Sequence, residues 1–335
     1  MLIQLKFMLC FLSAFALAML IIPLCLKMLS RLKAQQTILK YVESHQNKQG
    51  TATMGGLIFL IALSIIGLIF IWDISSEGSI CIFITLSYGL LGFLDDYIKI
   101  KNKQNEGLKA YQKIIGQAGI AIIVSIYCYN NPNIGSEIMI PFSNKVIDLG
   151  WGYIPFCIFV YIAMTNAVNL TDGLDGLVTK TSGVSVLFFI VVILMQFFDA
   201  TKQGDIIAQI NLQSLMYFST ALLGSIVAFA WVNTNPAKIF MGDTGSLALG
   251  GAITCLGIFL KNPLILGLVG IMYVVSCISV IVQVISFIIT KKRVFLMAPL
   301  HHHFEKKGIK ETKIVSYYTI ITIIFGVIAL ISYFL

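Results

Sequence analysis

Residues 78–99 read GSICIFITLSYGLLGFLDDYIK: seventeen residues without a charge, then two aspartates, Asp95 and Asp96, and a lysine, Lys99. A helix crossing the hydrocarbon core of a bilayer takes about 20 mainly apolar residues, with a range of roughly 17–25. Working outward, nine further charge-free stretches of that order appear, at 7–26, 49–72, 114–136, 149–171, 181–198, 206–237, 244–260, 262–290 and 314–335. None alternates polar and apolar in short segments, so a β-barrel fits poorly. The expected fold is all-α: a polytopic integral membrane protein of about ten transmembrane helices, in one catalytic domain spanning 1–335.

Composition agrees. Of 335 residues, 58% are hydrophobic and 11% charged. A soluble domain has about 45–50% apolar and about 25% charged residues. Stretches 206–237 and 262–290 exceed one straight span, so each is expected to contain a broken or interfacial part. The first stretch lacks a small-residue cleavage site and reads as a retained helix, not a signal peptide.

Charge sets the orientation. With alternating helices, one side receives the segments near 27–48, 95–113, 172–180, 238–243 and 291–313, which hold 19 of the 23 Lys and Arg residues. The positive-inside rule puts those loops in the cytoplasm and both termini outside it. The same side carries Asp95, Asp96, Asp172, Asp175 and Asp243 at the ends of apolar stretches. Its basic excess suits an anionic lipid surface or substrate, and its dispersal over membrane loops argues against nucleic acid. The seven cysteines all lie in apolar stretches without metal-ligand spacing, and no disulfides are expected.

Five polar segments converge on that side, in loops spanning about 30–53, 95–113, 170–180, 232–246 and 291–313. Asp95 and Asp96 repel unless a cation or proton intervenes. Magnesium with oxygen ligands is one remedy; Lys99, one turn on, could hold a phosphate or neutralise the pair. A solvated helix end is the plain alternative. In Asn169-Leu170-Thr171-Asp172-Gly173-Leu174-Asp175, the polar residues step by three and would share a helix face. They could also form an aspartate-capped turn. In the segment Asn233–Ser246, Asp243 precedes a helix that it or Ser246 could cap, and a helix start among small residues also suits an anion or metal-phosphate. His301, His302 and His303 diverge on a helix and make a poor single zinc site; they could bind diphosphate or line a solvated basic loop. Gly55 and Gly56, after Glu43-Ser44-His45, could serve close helix packing. Intramembrane acids are costly unless partnered, so their convergence points to a metal-dependent site for phosphoryl transfer to a lipid.

The strings ESHQNKQGTATMGG (43–56), GFLDDYIK (92–99), NLTDGLDGL (169–177), NTNPAKIFMGDTGSLALGG (233–251) and APLHHHFE (298–305) resemble, in order and over nearly the whole chain, the motif set of the phospho-N-acetylmuramoyl-pentapeptide transferase (MraY) family. That family belongs to a superfamily of polyprenyl-phosphate sugar-phosphate transferases. The resemblance implies transfer of phospho-N-acetylmuramoyl-pentapeptide from UDP-N-acetylmuramoyl-pentapeptide to undecaprenyl phosphate. The products would be lipid I and UMP, made with Mg2+ at the cytoplasmic face of the bacterial inner membrane, by a homodimer. It implies a magnesium-ligand role for Asp243, with Asp172 as a further candidate, and essential roles for Asp95, Asp96 and Asp172. Asp95 would deprotonate or orient the lipid phosphate. Lys113 and Lys99 would meet phosphate, Asn169 and Asp175 would lie near the nucleotide, and Gly173, Leu174, Asn233 and Phe240 would form the uracil pocket. His301, His302 and His303 match the family's His motif. The family's broken ninth helix, which protrudes toward the cytoplasm, corresponds to 262–290. One departure is Ala52, between Thr51 and Thr53, where the family usually has proline and its fixed φ. The competing readings are a UDP-N-acetylglucosamine:polyprenyl-phosphate N-acetylglucosamine-1-phosphate transferase, disfavoured by the His segment, and an ion-coupled transporter. The latter would show two similar halves and acids near the midplane; neither is visible.

Overall fold

A computed structural model describes residues 3–31, 51–104, 106–143 and 145–334. The part of the glycine-rich segment from Glu43 to Gly50 lies outside the described residues. Twelve α-helices follow one another: α1 (Ile3–Arg31), α2 (Gly56–Ile71), α3 (Glu77–Asn102), α4 (Ala110–Asn130), α5 (Tyr153–Thr171), α6 (Leu177–Gln203), α7 (Ile206–Asn233), α8 (Gly242–Phe259), α9 (Leu266–Val269), α10 (Ile271–Thr290), α11 (Leu300–Lys306) and α12 (Glu311–Ile331). Between α4 and α5 a small antiparallel hairpin, β1 (Glu137–Met139) with β2 (Val146–Asp148), pairs Ile138 with Ile147.

Each of the ten charge-free stretches supplies one long helix. Among the described residues, nine are long and apolar enough to cross a membrane, and α2, at 16 residues, is the shorter tenth. The lipid-facing character is plain on α1, where Leu20 and Leu24 are both 69% exposed. So much bare aliphatic surface belongs in hydrocarbon, and the chain is a multi-pass membrane protein. All seven cysteines are free, six of them buried and Cys277 half-buried.

Helix α8 is the axle. Every residue from Thr244 to Phe259 is buried, and its small side chains let neighbours approach. A Cβ on Gly250 would lie 2.6 Å from the Thr165 Cα of α5, and one on Gly251 would lie 2.5 Å from the Tyr88 ring of α3. Close backbone approach through small residues substitutes for the hydrophobic effect, which cannot drive helices together in lipid.

The two overlong stretches resolve differently. Stretch 262–290 is broken: a 3-10 turn (Pro263–Ile265), the four-residue α9, and an interruption at Gly270 precede α10. Beyond Ser279, α10 has no buried residue, so its second half projects from the bundle. Stretch 206–237, expected to contain a broken or interfacial part, is not broken. It forms one continuous helix of 28 residues, started by Asp205, whose carboxylate accepts from the Ala208 N–H at 2.9 Å. At 1.5 Å per residue α7 is about 42 Å long; helices longer than the hydrocarbon layer tilt or overhang it.

Candidate active site

The site begins where α3 crosses the start of α8. A Cβ on Gly92 would sit 2.1 Å from the Asp243 carbonyl oxygen, so only glycine permits this crossing. One turn later come the two aspartates, both buried, Asp95 at 1% and Asp96 at 3% exposure. Gly242, at φ +72°, turns the chain into α8. The free N–H groups of that helix are then capped from outside: Asp96 accepts from the Asp243 N–H at 3.2 Å, the Thr244 N–H at 2.9 Å and the Thr244 hydroxyl at 2.7 Å. Sequence reading gave the capping role to Asp243 or Ser246. Instead, Asp243 lies in the first turn of α8 with its carboxylate turned to other partners, and the Ser246 hydroxyl donates to the Gly242 carbonyl at 3.1 Å.

Those partners enclose Asp243. Lys113, on the first turn of α4, reaches its Oδ2 at 2.6 Å, and Lys99 of α3 reaches the same oxygen at 3.1 Å. Asn169, near the end of α5, donates to Oδ1 at 2.9 Å and to the Ser246 hydroxyl at 2.8 Å. Lys99 also pairs with Asp95 at 2.6 Å and Asp96 at 3.6 Å, and Lys113 with Asp95 at 3.4 Å. Asp95 accepts in addition from the Leu108 N–H at 2.9 Å, which ties the loop before α4 to the site. Oxygen atoms of Asp95, Asp96 and Asp243 lie within 4.8 Å of one another. This all-oxygen, anionic donor set fits a hard divalent cation such as Mg2+. Of the three, Asp96 has both oxygens committed to α8, leaving Asp243 and Asp95 as the better placed ligands.

The NLTDGLDGL segment departs from the expected shared helix face. Helix α5 ends at Thr171; Asp172 stands just past it in a turn, and Asp175 lies in the link to α6. Asp175 Oδ2 accepts from the Ala237 N–H at 3.0 Å and from Asn235 Nδ2 at 3.2 Å, and its own N–H donates to Glu311 Oε1 at 2.6 Å. Asn235 also donates to Glu311 Oε2 at 2.9 Å. Asn233 accepts from the Thr179 hydroxyl at 2.5 Å and donates to the Ile239 carbonyl at 2.9 Å. These residues bind the 172–177 link, the 233–241 loop and the start of α12 into one wall. Leu174 is buried in a small apolar cluster with Leu177, Met272, Ile314, Val315 and Tyr318 behind that wall. Burial, and then the charges of Asp243, Asp96 and Asp175, push the Asp172 carboxyl up to about 8.

The His segment forms the short α11 opposite Gly173. A Cβ on Gly173 would meet His301 Nε2 at 2.3 Å and His302 Nε2 at 2.9 Å, so two imidazoles crowd this turn. His301 is fully buried. His302 Nδ1 pairs with Glu305 at 2.6 Å, and His303 Nδ1 accepts from the Leu296 N–H at 3.1 Å. Burial and then Lys307 hold the His303 imidazole below its ordinary value. The three rings point to different partners, as consecutive helical positions require.

Phe240 borders the site through its backbone. Its carbonyl accepts from the Gly55 N–H at 2.8 Å, its N–H donates to the Ala52 carbonyl at 2.8 Å, and the Gly56 N–H donates to the Met241 carbonyl at 3.0 Å. This pairing, with a parallel bridge between Ala52 and Ile239, holds the turn that lacks the usual proline. A Cβ on Gly56 would lie 2.4 Å from Gly245 and one on Gly55 2.7 Å from the Phe240 carbonyl oxygen, so the glycines serve close packing. The structure thus brings Asp95, Asp96, Lys99, Lys113, Asn169 and Asp243 into one pocket, with Asp172, Gly173 and the histidines along its side. Sequence reading missed Thr244, which completes the Asp96 cap, and the clamp made by Asn235 and Glu311. Thr244 stands next to Asp243, which is a signal; nothing local marks Glu311.

The sequence model of glycosyl transferase family 4 matches residues 79–261, the span from α3 to the end of α8. A phospho-N-acetylmuramoyl-pentapeptide-transferase of Clostridium novyi (strain NT) is 44% identical over 322 residues, covering 96% of this chain and 95% of the relative. Proteins of the same name from Clostridium botulinum (strain Alaska E43 / Type E3) and Clostridium perfringens (strain 13 / Type A) are 45% and 43% identical, covering 96% and 98% of this chain and 94% and 98% of their own lengths. The chain therefore belongs to glycosyl transferase family 4, among the phospho-N-acetylmuramoyl-pentapeptide transferases.

Proposed function

We propose that the protein transfers phospho-N-acetylmuramoyl-pentapeptide from UDP-N-acetylmuramoyl-pentapeptide to undecaprenyl phosphate, giving lipid I and UMP, at the cytoplasmic face of a bacterial inner membrane. The observation that carries the reading is the pocket of Asp95, Asp96 and Asp243 with Lys99 and Lys113, set where apolar helices end. An oxygen of the lipid phosphate attacks the β-phosphorus, the bond from that phosphorus to the bridging oxygen breaks, and UMP leaves with the electron pair. Asp95, already bridged by both lysines, orients the attacking phosphate or accepts its proton. Lys99 and Lys113 turn from carboxylate to phosphate oxygens as substrate enters and offset the charge that builds there. Asn169 holds the Asp243 carboxylate in place, and the 172–177 link with α11 walls the nucleotide side. Asp243, with Asp95 or Asp172 beside it, would hold Mg2+, which when bound would supply charge neutralisation of the diphosphate.

The test is UMP release by the purified protein in detergent with undecaprenyl phosphate and Mg2+, run in parallel with UDP-N-acetylmuramoyl-pentapeptide and UDP-N-acetylglucosamine. Turnover with the first alone is expected; turnover with the second alone overturns the substrate assignment. Asp243→Asn should lower kcat by about a hundredfold or more, the scale seen when a charged group at a reacting centre is removed. Near-normal turnover of that variant would remove its metal role.

A further inference from the structure

One turn deeper than the carboxylate pocket, a polar pair joins α4 to α5 inside the bundle. Gln117 is fully buried, and its Oε1 accepts from Asn166 Nδ2 at 2.8 Å. The same Nδ2 donates to the Ile162 carbonyl at 2.8 Å. The Gln117 backbone carbonyl accepts from the Tyr88 hydroxyl of α3 at 3.3 Å. Its Nε2 is buried without a hydrogen-bond partner among the described residues. A side-chain hydrogen bond between membrane helices contributes little on average, whereas a buried donor left unpaired costs more than such a bond returns. Stability alone does not call for glutamine here; an apolar side chain of similar length would do better.

Register supplies the reason. Gln117 lies four residues after Lys113 on α4, and Asn166 lies three residues before Asn169 on α5. The helices run in opposite directions, so Lys113 with Asn169 and Gln117 with Asn166 form two successive rungs. The upper rung closes on Asp243 from both sides, Lys113 on Oδ2 at 2.6 Å and Asn169 on Oδ1 at 2.9 Å. We propose that Gln117 and Asn166 are a positioning pair, whose hydrogen bond fixes the axial register of α4 against α5 so that Lys113 and Asn169 grip opposite oxygens of Asp243. Neither residue touches the reacting atoms. A slip of α4 along α5 would carry Lys113 off Asp243 while Asn169 stayed, and displacements near 1 Å cost on the order of a hundredfold in rate at some reaction centres.

The inference rests on the proposed transfer reaction for one of its readouts. Gln117→Met, Asn166→Leu and the double variant are compared with wild type in detergent by Tm without divalent cations, by the rise in Tm that Mg2+ produces, and by kcat and KM for the nucleotide donor. Gln117→Met is expected to keep or raise the metal-free Tm, blunt the Mg2+-induced rise, and lower kcat about tenfold or more with KM changed less than about twofold. The double variant should be no worse than the poorer single, because both remove one interaction. A metal-free Tm that falls in step with kcat, losses that multiply in the double variant, or an unchanged kcat and Mg2+ response would each overturn the positioning role. If wild type is inert toward the nucleotide donor, the proposed reaction fails, and the Mg2+-induced rise in the variants decides the inference by itself.

Discussion

At the scale of single residues, each of the three clustered acids is held by named partners. Asp96 is held by the α8 amides, Asp243 by two ammonium groups and an amide, and Asp95 by lysines and a loop N–H. His303 gives the clearest pH effect. Its Nδ1 can accept from the Leu296 N–H only while unprotonated, and its folded-state value is lowered. The folded protein therefore binds fewer protons here than the unfolded chain, so this contribution is intact above about pH 6.5 and is lost as pH falls below it. Hydrogen-exchange protection of the Leu296 amide, corrected for intrinsic rate, should fall between about pH 7.5 and about pH 5 in wild type, with no such fall in His303→Ala. Equal protection at both values would refute the assignment. Which residues gather at the site was legible, because an acid or a run of histidines beside an apolar helix stands out. Their partners were not. The Asp96 cap joins positions 147 and 148 apart in the chain, and no local pattern encodes a contact that only folding creates.

At the scale of elements, charge-free length identified the helices well and their continuity poorly. Pro263 and Gly270 announce the breaks before α10. Stretch 206–237 has no proline before Pro236, and its one glycine, Gly224, stays helical where a Cβ would meet the Phe11 carbonyl, so its excess length reflects an overhanging or tilted α7, a distinction that length does not encode. The α5 end was misread for a related reason: a three-residue step looks the same in a helix and in the two turns that replace it. The α3–α8 crossing makes a sharper claim. Gly92→Ala should lower stability by about 1–3 kcal/mol, the usual cost of overpacking, read as a fall in Tm in detergent. Turnover should drop further than that, because the added methyl displaces Asp243. Gly119→Ala, on α4 with nothing within 4 Å of the new carbon, serves as the control and should hold or gain stability by about 0.5–1 kcal/mol. Comparable losses in both variants would mean that the crossing does not set the cost.

At the scale of the molecule, the described basic loops and the acid cluster share one end of the bundle, and the hairpin of β1 and β2 marks the other, tied to the link after α8 where the Met139 N–H donates to the Lys261 carbonyl at 2.8 Å. The charge asymmetry predicts the orientation. A cysteine in place of exposed Ser75, in the α2–α3 link, should react with an impermeant maleimide in intact spheroplasts; one in place of exposed Lys292 should react only after the membrane is opened. The reverse pattern would turn the molecule over. The short α2 carries one more consequence. Sixteen residues rise about 24 Å, while the oily layer is about 30 Å thick, and at the Gly56 end the chain runs on in non-helical backbone, with the Gly55 and Gly56 N–H groups donating to the Phe240 and Met241 carbonyls. Such backbone is tolerated below the headgroups only where it lines water or protein. In the proposed reaction, that end of α2 would let a phosphate riding on a long isoprenoid tail meet its donor at its own depth, with no need for either to be hoisted through the interface.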